Sequence, residues 1–272
     1  MYFYLSHSTL GKEGPLQFLL SLPTPAAVTL TIIAATTISV ALYFLVHRFW
    51  AKELSEETKK TTELVAMRVG VVYAVVIGMM FANVRIEHFQ MVEAIESEAS
   101  ALIRLHQAIE KDGGEETAAI RRDLIDYIRF IVDEQWPALR EARVFPEKDG
   151  FSSGGEKLKP VWEYVAKAEI KTGNQNLRRL LDQVEHYHIL RVFDKKGNLL
   201  PLFWYIALFG YFATLFTLYV YPPNLRRCTL VSLYSSMVAI VLLGIFILTH
   251  PYSVAAGVEP SIFKWLLEMS AG

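Results

Sequence analysis

The chain has one cysteine, Cys228, in 272 residues. That excludes an internal disulfide and any metal centre built on paired thiolates. Charge is nearly balanced, with 27 Lys and Arg against 28 Asp and Glu for a net of −1. No basic excess therefore points to nucleic acid as a partner. Only 20% of residues are charged while 53% are hydrophobic, which is too apolar for an ordinary soluble domain. No P-loop or dinucleotide fingerprint occurs, and no Gly-x-Ser-x-Gly elbow surrounds Ser253, so its nearness to His250 makes no hydrolase. The opening MYFYLSHSTLGKEG lacks a basic n-region and an A-x-A-like cleavage site, so a removable signal peptide is not expected. Strand-like alternation of useful length is missing too.

What is present is apolar sequence in blocks. Four stretches meet the length needed to cross a hydrocarbon core of about 30 Å: Ala26–Val46, Leu64–Val84, Pro201–Tyr221 and Thr229–Thr249. Aromatic residues gather at their edges, among them Phe49, Trp50, Trp204, Tyr205, Tyr219, Tyr221 and Tyr252, as in the interfacial belt of spanning helices. The second block has no proline and runs on without a break into amphipathic sequence. Leu64 to Asp112 therefore predicts one helix of about 49 residues, on the order of 70 Å long, leaving the membrane as a rod. More than a hundred residues then pass without a spanning run. Val92, Ile95, Ala99, Leu102 and Ile109 fall at helical spacing on the rod, which Gly113 and Gly114 end.

A second bundle helix is expected over about 115–143, kinked or restarted at Pro137. Residues 145–157 read as a loop. A third helix has Pro160 in its first turn and ends at Gly173. A fourth covers about 175–193, with the turn 194–198 leading back to the membrane. The fold class is all-α: four transmembrane helices with a helical bundle inserted between spans two and three. The domains would be 1–86, 87–200, 201–250 and a C-terminal segment 251–272 that suits an interfacial helix or a packing element.

Two faces of the second span stand out. Gly70, Ala74, Gly78 and Ala82 recur every four residues, a stripe that lets another helix approach closely. The opposite face carries Val72, Val76, Met79, Met80, Asn83 and Glu87; in an oligomer it would line a pore, apolar along the constriction and polar at the mouth. Asn83, Arg85 and Glu87 equally suit interfacial anchoring. Beyond them Glu93, Glu96 and Glu98 crowd two turns, but a calcium site needs six to eight converging oxygens. A solvated or arginine-paired face is expected there, and no metal or cofactor. His186 and His188 point to different helix faces and do not form a shared metal site. The short loops hold Arg48, Lys52, Lys59, Lys60, Arg226 and Arg227. The other flanks hold Lys12, Arg85, Arg191, Lys195, Lys196 and Lys264 over far more chain. The positive-inside rule therefore puts the short loops in the cytoplasm and the bundle outside.

The runs GVVYAVVIGMMFANV, ESEASALIRLHQAI, DYIRFIVDEQWPAL and THPYSVAAGVEPSIF resemble the bestrophin-like family of bacterial membrane proteins, from Ser21 to Phe263. The most specific pieces are Glu98-Ala99, then Tyr127, Glu134, Trp136 and Pro137, and His250-Pro251-Tyr252-Ser253. All are read as structural, with Glu134 pairing an arginine such as Arg104. Val254 departs from the glycine that the family usually has after the serine, which puts a tight turn there in doubt. The resemblance implies a four-span, homo-oligomeric protein of the bacterial inner membrane. It also implies passive conduction of small inorganic ions, lipid and other copies as partners, and no catalysis. The alternative is a non-conducting scaffold or sensor whose bundle binds a partner or ligand.

Overall fold

Long apolar and amphipathic periods with few internal breakers leave helix as the only way to satisfy the backbone, and every regular element follows. The computed structural model describes residues 15–49, 55–112, 116–140, 153–173, 175–193 and 201–271. In order, α1 is Pro15–Ser21, α2 Thr24–Phe49, α3 Glu56–Asp112 and α4 Thr117–Phe130. A π-helical turn, Ile131–Gln135, leads to α5, Trp136–Arg140. Then come α6 Ser153–Thr172, α7 Asn176–Phe193, α8 Pro201–Leu218, α9 Leu225–Leu248 and α10 Ser261–Ala271. No strand occurs among the described residues. Three helices, α2, α3 and α9, are long and apolar enough to cross a membrane, while the apolar run of α8, Leu202–Leu218, is shorter.

The rod expected from Leu64 starts earlier, at Glu56, and continues unbroken to Asp112 as one 57-residue helix. The extra turns are polar, and they begin where Ser55 Oγ accepts from the Thr58 amide at 3.2 Å, an N-cap signal that hydropathy alone does not carry.

The chain divides into two compact units. The first is residues 1–86 with 197–256 and the second 87–196 with 257–272. In the first unit Tyr73, Ile77, Met80 and Val84 of α3 form a buried cluster with Ala207 of α8 and Ile245 of α9. Tyr43 of α2 joins Leu215, Tyr219 and Val231 in a second cluster. Gly210 of α8 is required by this packing, since a Cβ there would overlap the Tyr73 ring. Hydroxyls inside the unit pair with one another: Ser39 Oγ lies 2.6 Å from Tyr211 OH, and Tyr234 OH donates to Thr214 Oγ1 at 2.8 Å. Asn224 caps α9, its side chain accepting from the Arg227 amide. The turn after α9 forms in spite of Val254, because Ser253 N–H reaches the His250 carbonyl at 2.9 Å. The left-handed backbone of this segment falls on Gly257 instead (φ +70°).

In the second unit Ile95, Leu102, Leu105 and Ile109 of α3 are buried, as are Leu124 and Tyr127 of α4, Ile131 of the π-turn and Leu181 and Val184 of α7. Residues 153–157, read from sequence as the end of a loop, are helical instead, so Pro160 lies inside α6 rather than in its first turn. Leu158 is buried with Val161 and Val165, so the apolar stripe already runs upstream of the proline, and burial overrides the local breakers. The rest of the expected loop, and the turn 194–198, lie outside the described residues.

Pro137 does restart its helix, by a specific device. It has no N–H to offer the carbonyl of residue 133, and the backbone widens so that the Trp136 amide reaches Ile131 O, five residues back. Gln135 and Trp136 are both buried at this widened turn. α10 buries Phe263 and Leu266 and packs against α4 and the π-turn.

Candidate functional site

α3 has two sides within the first unit. Tyr73, Ile77, Met80 and Val84 face the protein's own core, whereas Val72 is 64% and Met79 69% exposed. At 3.6 residues per turn, Val72, Met79 and Asn83 fall within about 40° of one line along the helix. Asn83 and Glu87 are exposed and Val76 is half-buried against the core cluster. Met80, grouped with these six from the sequence, is only 4% exposed. It sits at the edge of the buried face, one turn from Ile77 and Val84, and is not available to a pore. On the small-residue stripe, a Cβ on Gly70 would lie 3.5 Å from the Thr214 methyl of α8, whereas a Cβ on Gly78 would meet nothing within 4 Å. Ala74 and Ala82 are exposed. Among the described residues, only the first step of the stripe meets another helix of this chain.

The second unit holds a fully buried polar cluster. Glu98 of α3 receives two bonds from Arg191 of α7, Nε to Oε2 at 2.6 Å and Nη2 to Oε1 at 3.2 Å. Tyr127 OH of α4 donates to Glu98 Oε1 at 2.9 Å. Arg191 Nη2 also donates to Gln135 Oε1 at 2.7 Å. His188 Nδ1 lies 3.1 Å from both Tyr127 OH and Arg191 Nη2 and 3.6 Å from Glu98 Oε1. The guanidinium carbon of Arg191 is 5.8 Å from the Trp136 ring and 5.6 Å from the Phe263 ring, so two aromatic faces flank the cation.

Burial acts to raise the Glu98 carboxyl pKa. The Arg191 charge, with its hydrogen bonds and the nearby His188 ring, outweighs it and holds the group at about 2. The Tyr127 phenol is pushed well above its usual range, by burial and then by the neighbouring carboxylate. This chemistry is not that of a ligand pocket. Paired, hydrogen-bonded charges out of water fix one register, and here they tie the second half of α3 to α4, the π-turn, α7 and α10.

Sequence reading singled out Glu98, Tyr127 and Trp136, and the fold brings all three to this cluster. Arg191, His188 and Gln135 were missed as its members. Arg191 had been counted as a membrane-flank cation, but it is 0% exposed. The expected Glu134–Arg104 pair does not form. Glu134 is exposed, and Arg104 bonds back to Ser100, Nη2 to Oγ at 3.0 Å, because the π-turn directs Gln135 inward and leaves its neighbour outside. Pro137 is exposed. His250 is exposed, with Nδ1 2.8 Å from Phe246 O, and Pro251 is buried, so the pair ends α9. Glu93 and Glu96 face solvent.

A family model described as a Bestrophin-like domain matches residues 33–263. No curated protein and no solved structure matches the chain. Its apolar helices and this match make it a membrane protein with lipid-facing helices. The matched stretch begins inside α2 and ends on Phe263, so it takes in the outer face of α3 and every member of the buried cluster, and the chain belongs to the bestrophin-like family.

Proposed function

We propose that the protein is a homo-oligomeric, passive ion channel in which copies of α3 surround the path. The observation that carries this reading is the outer face of α3. Val72 and Met79 are exposed on the same line as the polar Asn83, with Glu87 one turn beyond. That change of polarity along one exposed stripe suits a water path with an apolar constriction and a polar mouth. Val72, Met79 and, at the margin, Val76 form an apolar constriction that gates by dewetting, and Asn83 and Glu87 form its mouth. Ala74, Gly78 and Ala82 are left for the close approach of a neighbouring copy.

α8 is the remaining span, third in chain order, with α9 the fourth. The 18 residues of α8 reach about 27 Å at 1.5 Å per residue, near the lower limit for crossing, so the bundle is inserted between spans two and three. The short, cation-rich loops lie in the cytoplasm of a bacterial cell and the bundle outside. The permeants are small inorganic ions.

Two measurements test the reading. Purified protein in liposomes should pass a small ion down its gradient, and its mass in detergent should be that of a ring of several copies. No flux of any small ion under any gating condition, or a monomer, would overturn it.

A further inference from the structure

One end of the first unit gathers cations in a way that membrane topology alone does not require. Tyr43 OH, near the end of α2, donates to Tyr221 O at 2.9 Å, and Tyr221 OH donates to Glu63 Oε2 at the start of α3 at 3.2 Å. The Arg227 guanidinium lies over the Tyr221 ring at 4.9 Å, and its Nη1 donates to Pro222 O at 2.8 Å. Tyr221 is thus the hub that brings the end of α2 and the starts of α3 and α9 together. Those three ends carry Arg48, Lys59 and Lys60, and Arg226 and Arg227. Of the described carboxylates at the same end, Glu56 is taken by Lys59 at 2.6 Å and Glu63 by Tyr221, leaving Glu57 exposed. Arg48, Lys60 and Arg226 are exposed and make no ion pair among the described residues. Arg227 is half-buried and oriented by ring and carbonyl, a preformed guanidinium. Apolar side chains stand beside these cations, with Phe49 77%, Leu64 61% and Leu225 85% exposed.

We propose that this end of the bundle, Arg48, Lys60, Arg226 and Arg227 around Tyr221, is a binding site for the phosphodiester headgroup of an anionic phospholipid. Guanidinium groups take phosphate oxygens in pairs, whereas an ammonium acts as a point charge. The exposed Phe49, Leu64 and Leu225 receive the upper acyl region. A free phosphate offers the same oxygens but nothing to those apolar side chains, so the lipid is the better-fitting source. The site rests on the membrane placement of α2, α3 and α9 and is independent of whether the protein conducts.

The test uses delipidated full-length protein in detergent, titrated with phosphatidylglycerol, phosphatidylcholine or inorganic phosphate, with bound lipid counted by intact-complex mass spectrometry and the melting midpoint followed. Phosphatidylglycerol should be retained and raise the midpoint, and phosphatidylcholine and millimolar phosphate should not. At roughly a factor of five per cation near an anionic surface, Arg226→Gln with Arg227→Gln should weaken retention about 30-fold. Because Arg227 also holds the turn, Arg48→Gln with Lys60→Gln, both exposed, provides a second test with the same expected direction. Equal retention of both lipids, unchanged retention in the Arg48/Lys60 variant, or an equal effect of inorganic phosphate would overturn the proposal.

Discussion

Replacing Arg191 by methionine removes the charge from the buried cluster but keeps most of the side-chain volume between Trp136 and Phe263. Glu98 is then left ionised, 0% exposed and with its strongest partner gone. Breaking a buried pair from one side costs about 3–5 kcal/mol, because the remaining charge is desolvated without compensation. The net hold of the fold on this carboxylate is of the same order. Glu98 is held near 2 against an ordinary 4.5, and at 1.36 kcal/mol per unit that gap is on the order of 3 kcal/mol.

Glu98→Gln should cost a comparable amount by stranding Arg191. Glu98→Leu combined with Arg191→Met should cost much less than the sum, since neither charge is then buried. For a chain of this size about 3–4 kcal/mol lowers the melting midpoint by roughly 10 °C. The assay is thermal unfolding of purified protein in one detergent, followed by loss of helical ellipticity, for the wild type, the single variants and the double variant. Single variants within about 1 kcal/mol of the wild type, or a double variant as unstable as their sum, would refute the view that this pair braces α3.

Two further outcomes follow from the same coordinates. The folded state holds the Glu98 carboxyl below its unfolded value, so protons favour the unfolded chain: the pair's stabilisation is complete above about pH 4.5 and is lost as pH falls toward 2. The melting midpoint should drop through that window in the wild type, with Glu98→Gln removing much of the slope; identical profiles would contradict the assignment. Gly210→Ala should destabilise the spanning unit by about 1–3 kcal/mol through overpacking on Tyr73. Adding Tyr73→Ala should recover part of the loss, and an unperturbed Gly210→Ala would show that the two helices are not in contact.

Much of this architecture was legible in the chain because it depends on local period and length. The absence of proline from Leu64 to Asp112 and the run-on from apolar to amphipathic sequence led to one helix, and α3 is one helix. The motif residues Glu98 and Tyr127 were legible as structural and not as partners, because they lie 29 residues apart in sequence. Arg191 was harder still, 93 residues from Glu98, and by composition alone an arginine near a span reads as a headgroup anchor. Gln135 was hidden by its neighbours. The local Glu-x-Trp-Pro run drew the eye to Glu134, and only the π-turn, a response to the missing Pro137 amide, decides which of the two faces inward. Met80 shows the limit of a helical wheel, where a residue at the edge of a face is assigned by its neighbours on other helices. The same applies to α6, where burial of Leu158 outweighs two glycines and a proline.

The central claim is that the outer face of α3 meets water rather than lipid, and the single native cysteine makes it directly testable. In a Cys228→Ala background, Met79→Cys and, as a lipid-facing comparison, Leu233→Cys (63% exposed on α9) would be reconstituted and treated with a charged thiol reagent while ion flux is recorded. The account predicts that modification stops flux through Met79→Cys and leaves Leu233→Cys unchanged. Flux that persists when Met79→Cys is fully modified would contradict it.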